Sequence, residues 1–237
     1  MFVTVKLRTL LLWAALALFL GAAVRLFIVP AARPVMGAAE RSGVVYVLDA
    51  GHGGEDGGAV SADGVKESDI NLSVTRRLDA LLGLLGKHTV LTRDEDVSVY
   101  TEGAETLRQK KVSDLKNRVA LVNGTADAVL VSIHQNSLPT APRARGAQVF
   151  YAATDESAAL AESVQAALNA LVNDREKQGK PIDKTVYLMK HVTRPAILVE
   201  CGFLSNGEEA VRLQQPEHQR KIAVAVAAGL LNTEEKT

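Results

Sequence analysis

The sequence has almost no cysteine and no excess of either charge. Its 237 residues include one cysteine, so no disulfide can form within the chain. Lysine and arginine together number 27, and aspartate and glutamate also number 27, which gives a formal net charge of zero. Proteins that bind nucleic acid normally carry a basic excess. We therefore expect no nucleic-acid partner.

Internal repeats and low-complexity tracts are also missing from the sequence. Hydrophobic residues make up 47% of the chain and charged residues 23%. These proportions are typical of a globular protein and exclude a disordered or collagen-like chain. The length suits one domain of ordinary size, or one domain with an appendage.

The first forty residues differ from the rest of the chain. Two basic residues precede an apolar run over residues 10–29 that Arg25 alone interrupts. A basic start before an apolar run is typical of a secretion signal, and a run of this length can also span a bilayer. We favour an uncleaved signal-anchor or transmembrane segment over residues 1–29, with a cleaved signal or a buried core helix as alternatives. Residues 30–42 are interpreted as a linker.

From residue 43 to residue 232, short apolar segments alternate with segments of helical periodicity. This pattern predicts a single α/β domain, with a mainly parallel or mixed sheet that helices cover on both faces. The predicted strands are 44–48, 88–92, 128–133, 147–151, 186–189 and 196–199. The predicted helices are 69–85, a helix capped by Ser113, 157–172 and a helix that begins at Pro216. Residues 97–111 are predicted as a loop and residues 233–237 as a tail.

Strong polar side chains follow three of the predicted strands. His52 lies in a glycine-rich loop after the first strand, His134 follows the third and Glu200 follows the last. A fourth polar residue, Glu67, comes just before the first helix. Strand ends and helix starts share one rim of a parallel sheet, where ligands bind. We therefore expect these four side chains to converge.

Two imidazoles and one carboxylate form a ligand set of catalytic zinc sites. A carboxylate that is not a ligand is then needed to carry the proton. We interpret His52, Glu67 and His134 as ligands of one Zn²⁺ ion and Glu200 as the catalytic acid and base. Each residue also has a structural interpretation, because histidines at strand ends are often structural and a glutamate suits the start of a helix.

Four segments, in this order, resemble the zinc-dependent N-acetylmuramoyl-L-alanine amidases of the amidase type 3 family. They are LDAGHGG (48–54), VKE (65–67), SIHQNS (132–137) and VECGFLSN (199–206). Shorter matches are TR (92–93), NR (117–118) and GAQVFY (146–151). The resemblance implies hydrolysis of the amide bond between N-acetylmuramic acid and L-alanine in peptidoglycan.

The resemblance also bears on individual residues. The family's zinc ligands fall on His52, Glu67 and His134, and its catalytic glutamate falls on Glu200. Arg118 and Asn136 are expected to contact the substrate or the metal ligands, with a scaffold role as the alternative. The single cysteine, Cys201, is interpreted as a buried apolar residue rather than a nucleophile.

Within that family, the chain most resembles the germination-specific amidases of the spore cortex. The loop 100–111, the compact domain and the apolar start of the chain are the basis for this comparison. It implies a protein outside the cytoplasm, membrane-anchored or secreted, that prepares cortex peptidoglycan for muramic δ-lactam formation. An activating protein partner is left open. The alternatives are a vegetative amidase in cell separation, a zinc hydrolase that cuts the peptide stem, and a non-catalytic wall-binding protein.

Overall fold

Six strands form one sheet within residues 43–234, the part of the chain that the computed structural model describes. They are β1 (Val45–Ala50), β2 (His88–Leu91), β3 (Ala128–Asn136), β4 (Gln148–Tyr151), β5 (Lys180–Pro181) and β6 (Ala196–Phe203). Their spatial order is β2-β1-β3-β6-β4-β5. In this order, the neighbouring strands β2, β1, β3 and β6 are all parallel. Strand β4 runs antiparallel to β6 and parallel to β5. The sheet is therefore mixed with a parallel centre, within the predicted fold class.

Six helices in the same part of the chain accompany the sheet. They are α1 (Glu67–Leu84), α2 (Leu107–Gly124), α3 (Asp155–Leu171), α4 (Tyr187–His191), α5 (Gly207–Leu213) and α6 (Pro216–Glu234). Helices α1, α3 and α6 pack against one face of the sheet, and α2 and α4 pack against the other. This arrangement confirms the prediction of helices on both faces.

Strand β1 shows why the central strands are apolar almost throughout. Tyr46 and Leu48 belong to the core on the face of α1, whereas Val47 belongs to the core on the face of α2. Successive side chains of a strand point to opposite faces, so a strand covered on both sides buries every residue. All three side chains are at most 1% exposed.

The start of α2 corrects the sequence prediction. We expected a loop through residue 111 and a cap at Ser113, but the helix begins at Leu107. The Thr106 hydroxyl accepts a hydrogen bond from the Gln109 backbone, and the Gln109 side chain accepts one from the Thr106 backbone. This reciprocal capping box satisfies backbone donors that the start of a helix would otherwise leave free. The start of α2 was not predicted because residues 107–111 are mostly polar and show no regular spacing of apolar residues.

The structure corrects one further prediction in residues 186–213 and adds one helix that was not predicted. The predicted strand 186–189 is instead the short helix α4, in which the Lys190 backbone donates to the carbonyl of Val186 at 3.0 Å. Its β-branched and aromatic residues favoured a strand locally, but tertiary packing overrides such preferences. The sequence reading also missed α5, which the Asn206 side chain caps by accepting from the Glu209 backbone.

The predicted signal-anchor or transmembrane segment 1–29 and the predicted linker 30–42 lie outside the described residues. Between residues 43 and 234, no helix combines the length and the apolar character that crossing a bilayer requires. At the other end, α6 runs to Glu234, two residues into the predicted tail.

A glycine fixes how closely α3 and α6 approach each other. A Cβ atom added at Gly229 of α6 would overlap the backbone of Val164 in α3, whereas one added at Gly83 of α1 would meet nothing within 4 Å. We expect Gly229→Ala to destabilise the fold by about 1–3 kcal/mol, because the two helices must move apart. The control Gly83→Ala should be neutral or stabilising by up to about 1 kcal/mol. Urea unfolding of both variants would measure this, and equal stabilities would contradict the packing argument.

Candidate functional site

Three of the predicted residues meet at one point, brought there by different elements. His52 lies in the loop after β1, Glu67 is the first residue of α1 and His134 lies in β3. One ligand atom from each, an imidazole nitrogen or a carboxylate oxygen, lies within 4.8 Å of the other two. The two imidazole rings meet edge to face, with centroids 5.1 Å apart. The three residues can therefore hold one metal ion.

Glu67 is the centre of this group. One carboxylate oxygen, Oε1, lies 2.9 Å from His134 Nδ1 and the other, Oε2, lies 3.4 Å from His52 Nε2. The backbone N–H groups of Ala59 and Gln135 donate to the same carboxylate. Burial opposes ionisation, but the hydrogen bonds with the two histidines outweigh it and hold the pKa of Glu67 far below its usual value. The side chain is therefore ionised at neutral pH.

Two glycines make the close approach of these side chains feasible. A Cβ atom on Gly51 would overlap the ring of His134, and one on Gly58 would lie 2.7 Å from Cδ2 of His52 and 2.5 Å from Oε2 of Glu67. Gly58 also has a φ of +68°, which residues with a side chain rarely adopt. The donor set of two imidazoles and one carboxylate, held this closely, fits a divalent ion such as zinc.

Glu200 lies beside this group on the next strand. It is the register partner of His134 across the parallel pair β3–β6, so the two side chains share one face of the sheet. Its Oε2 atom is buried and has no hydrogen-bond partner among residues 43–234. Burial raises the pKa of Glu200 to about 7, with the His134 charge opposing this and the Glu67 charge adding to it. The sequence predicted that the third and last strands end before His134 and Glu200. In the structure both residues lie within their strands, β3 and β6.

A cleft of about 420 Å³ opens onto these groups. Its walls combine polar residues of the loop after β1 with residues of α2 and of the short helix α4. The apolar lining residues are Leu107, Leu115, Val186, Tyr187, Leu188 and Leu198. The cleft is thus lined by both apolar and polar side chains, which suits an amphipathic substrate.

Arg118 supports the loop that carries His52 and is only 2% exposed. It forms ion pairs with Asp49 at 2.5 Å and with Asp114 at 2.7 Å. It also donates to the carbonyl groups of Ala50, at 2.8 Å, and of His52, at 2.9 Å. These contacts are those of a scaffold residue, but Arg118 also lines the cleft, so its contact with substrate stays a prediction.

Asp49 is a residue whose role the sequence reading missed. Its second carboxylate oxygen accepts a hydrogen bond from Ser132 at 2.5 Å. Burial alone would raise its pKa, but the Arg118 guanidinium and the Ser132 hydroxyl outweigh burial and lower the pKa of Asp49 to about 2. The signal available in the sequence was an acidic residue at the end of an otherwise apolar strand, which is costly without a buried partner.

The remaining two residues discussed from the sequence, Asn136 and Cys201, are not members of the metal group formed by His52, Glu67 and His134. Asn136 lies near the end of β3, where its backbone carbonyl accepts from Leu204, and it does not line the cleft. Its contact with substrate or ligands stays a prediction. Cys201 is fully buried, and burial raises the pKa of its thiol. The interpretation of this residue as a buried apolar side chain agrees with its burial.

The Asp49–Arg118 pair predicts a pH-dependent stability. The pKa of Asp49 is about 2 in the fold and about 4 in an unfolded chain. Its stabilisation is therefore complete above pH 4 and is lost as the pH falls through 2. We expect Asp49→Asn to cost roughly 3–5 kcal/mol at pH 7, because Arg118 loses a buried partner, and to cost less near pH 3.

Urea unfolding at the two pH values would measure this difference. Asp63→Asn is the matched control, because Asp63 is exposed. A cost of Asp49→Asn that is independent of pH would contradict the assignment.

Comparison with known proteins agrees with this geometry. Residues 46–232 match the model of the family described as N-acetylmuramoyl-L-alanine amidase. The germination-specific N-acetylmuramoyl-L-alanine amidase of Bacillus subtilis is 35% identical over 80% of this chain and 79% of its own length. The CwlD amidase of Clostridioides difficile, solved in complex with the GerS lipoprotein, is 37% identical with a TM-score of 0.79, covering 82% of this chain and all of that one.

A second solved structure is also similar. The structure is that of an N-acetylmuramoyl-L-alanine amidase from Clostridium difficile 630. It is 29% identical to the present chain with a TM-score of 0.71, and the match covers 82% of the present chain and 98% of the other. The family match spans the sheet, the helices and all four polar residues of the site. This chain therefore belongs to the N-acetylmuramoyl-L-alanine amidase family and is an amidase of that family.

Proposed function

We propose that the protein is a zinc-dependent amidase that cleaves peptidoglycan between N-acetylmuramic acid and L-alanine, in preparation of the spore cortex. The observation that carries the proposal is the grouping of His52, Glu67 and His134 within 4.8 Å, with the buried carboxylate of Glu200 on the adjacent strand. This set supplies both parts of metal-assisted amide hydrolysis, namely a ligand set with room for substrate and a separate proton carrier.

His52, Glu67 and His134 would hold the ion. When bound there, zinc supplies Lewis acidity for the scissile carbonyl and lowers the pKa of water. The three side chains arrive from a loop, a helix and a strand, so their relative positions are fixed by the packed domain. The apolar wall of the cleft, which includes Leu107 and Tyr187, would hold the substrate and exclude bulk water from the reacting bond.

Glu200 would move the proton. Its carboxylate accepts a proton from the attacking water and donates it to the departing nitrogen of L-alanine. A pKa of Glu200 near 7 suits both steps at neutral pH, since the group can then accept and release a proton readily.

The role in the spore cortex rests on the relatives. The Bacillus subtilis relative is germination-specific by name, and the Clostridioides difficile relative is solved with a lipoprotein partner. We infer that this chain acts outside the cytoplasm on cortex peptidoglycan and that a protein partner binds it. We also retain residues 1–29 as the proposed membrane anchor or export signal and residues 43–232 as the proposed catalytic domain.

Substituting the proposed proton carrier tests the mechanism. Glu200→Gln should lower the rate of peptidoglycan digestion by roughly 10²- to 10⁴-fold while the protein still binds zinc, because the variant cannot accept a proton. His134→Ala should lose zinc as well as activity. Dye-release assays and elemental analysis would report the two properties. The exposed Glu208 provides the control Glu208→Gln, and normal digestion by Glu200→Gln would show that the proton role is wrong.

The products of digestion test the reaction class. Mass spectrometry of cortex peptidoglycan treated with the zinc-loaded protein should find free L-alanine amino termini and muramic acid without a stem peptide. Chelation should abolish these products and added zinc should restore them. Shortened stems still joined to muramic acid would indicate a stem peptidase instead. A preference for vegetative wall over cortex would remove the proposed spore role.

A further inference from the structure

The two ring nitrogens of His52 have different partners. Nε2 faces Glu67, the central carboxylate of the metal group, at 3.4 Å. Nδ1 lies 3.0 Å from Oδ2 of Asp56, on the other side of the ring. Asp56 therefore contacts the histidine away from the three proposed ligand atoms, and it is not one of them.

The carboxylate of Asp56 is held in place from several directions. Gly53 and Asp56 exchange two backbone hydrogen bonds, of 2.8 and 3.1 Å, which close a tight turn around the histidine loop. The Gly58 backbone donates to Oδ1 of Asp56 at 3.3 Å. Lys111 of α2 approaches Oδ2 at 3.1 Å. The position of this carboxylate is thus fixed by the loop itself and by a neighbouring helix.

We propose that Asp56 is a positioning residue that orients His52 for metal binding. A neutral imidazole carries one N–H, and a carboxylate beside Nδ1 keeps the hydrogen there. The lone pair of Nε2 then points toward Glu67, where the ion would sit. This proposal rests on the proposed role of His52 as a ligand, and it adds a residue that acts on the metal site through His52.

An orienting partner matters for His52 because the hydrogen bond of its backbone carbonyl does not set the orientation of its ring. Its backbone has a φ of +61°, unusual for a residue with a side chain, and lies in a loop. Arg118 holds the carbonyl of His52, which fixes the backbone but does not fix the ring. By contrast, the ring of His134 belongs to a central strand and packs directly over Gly51. Ligands on strands are held more precisely than ligands on loops, so we expect metal binding by His52 to depend on its orienting hydrogen bond.

An alternative explanation for Asp56 is that it only ties the loop to α2 through Lys111. The adjacent residue provides a way to separate these roles. Glu55 pairs with Lys110 at 2.6 Å, one residue earlier in both the loop and the helix. This second ion pair ties the same two segments together, but the carboxylate of Glu55 contacts Lys110 rather than His52. Glu55→Gln therefore removes a tether alone, whereas substitution of Asp56 removes a tether and the contact with the histidine.

The experiment measures the zinc dissociation constant by competition with a chromophoric chelator, on the full chain and on matched variants. We expect Asp56→Ala to weaken zinc binding by roughly 10- to 100-fold. Asp56→Asn should weaken it less, because an amide oxygen can still accept from Nδ1–H but carries no charge. Glu55→Gln should bind zinc as the wild type does. Thermal unfolding of the zinc-free proteins checks that each variant is folded.

The outcomes distinguish this inference from the function it rests on. If the wild type binds no zinc, the proposed metal site itself is wrong. If the wild type binds zinc and Asp56→Ala binds it equally tightly, the site stands and Asp56 has no orienting role. Equal weakening by Glu55→Gln and Asp56→Ala would show that the loop tether is responsible, which also overturns the inference. Weakening by the Asp56 variants alone, with unchanged stability of the zinc-free fold, supports it.

Discussion

The carboxylate of Glu67 joins the parts of this structure on which its chemistry depends. It is 4% exposed and contacts both histidines of the site. Its other hydrogen bonds come from the Ala59 and Gln135 backbones and from the Asn71 side chain. A buried charge without such partners would cost several kcal/mol, so the loop, the helix and the strand must come together for Glu67 to be buried at all.

Behind this group lies a second set of buried charges. Arg118 lies between Asp49 and Asp114 and donates to the carbonyls of Ala50 and His52. A second buried arginine, Arg93, also donates to the carbonyl of Ala50. A strand that turns sharply into a glycine loop leaves carbonyl groups without ladder partners, and these guanidinium groups satisfy them. The loop can therefore hold an unusual backbone conformation at the position where the histidine is needed.

The proposed mechanism needs an ionised carboxylate among the metal ligands and a second carboxylate that can bind and release a proton. Contacts with two imidazoles keep Glu67 ionised, whereas burial without a hydrogen bond to Oε2 raises the pKa of Glu200 to about 7. The two carboxylates differ because one is surrounded by donors and the other is not. Their environments, rather than their residue type, give them separate roles.

The sequence by itself determined the alternation of strands and helices and the chemical types of the four polar residues. Apolar periodicity and the glycines near His52 are local features, and most helices and strands formed close to the predicted bounds. Local sequence preferences gave the wrong structure where tertiary packing determines the conformation. In α4, for example, the residues favour a strand but form a helix. Only the tertiary structure revealed the Asp49–Arg118 pair and the contact of Asp56 with His52. Arg118 is 69 residues from Asp49, and no local pattern links side chains that far apart, because only the packing of α2 against the sheet brings them together.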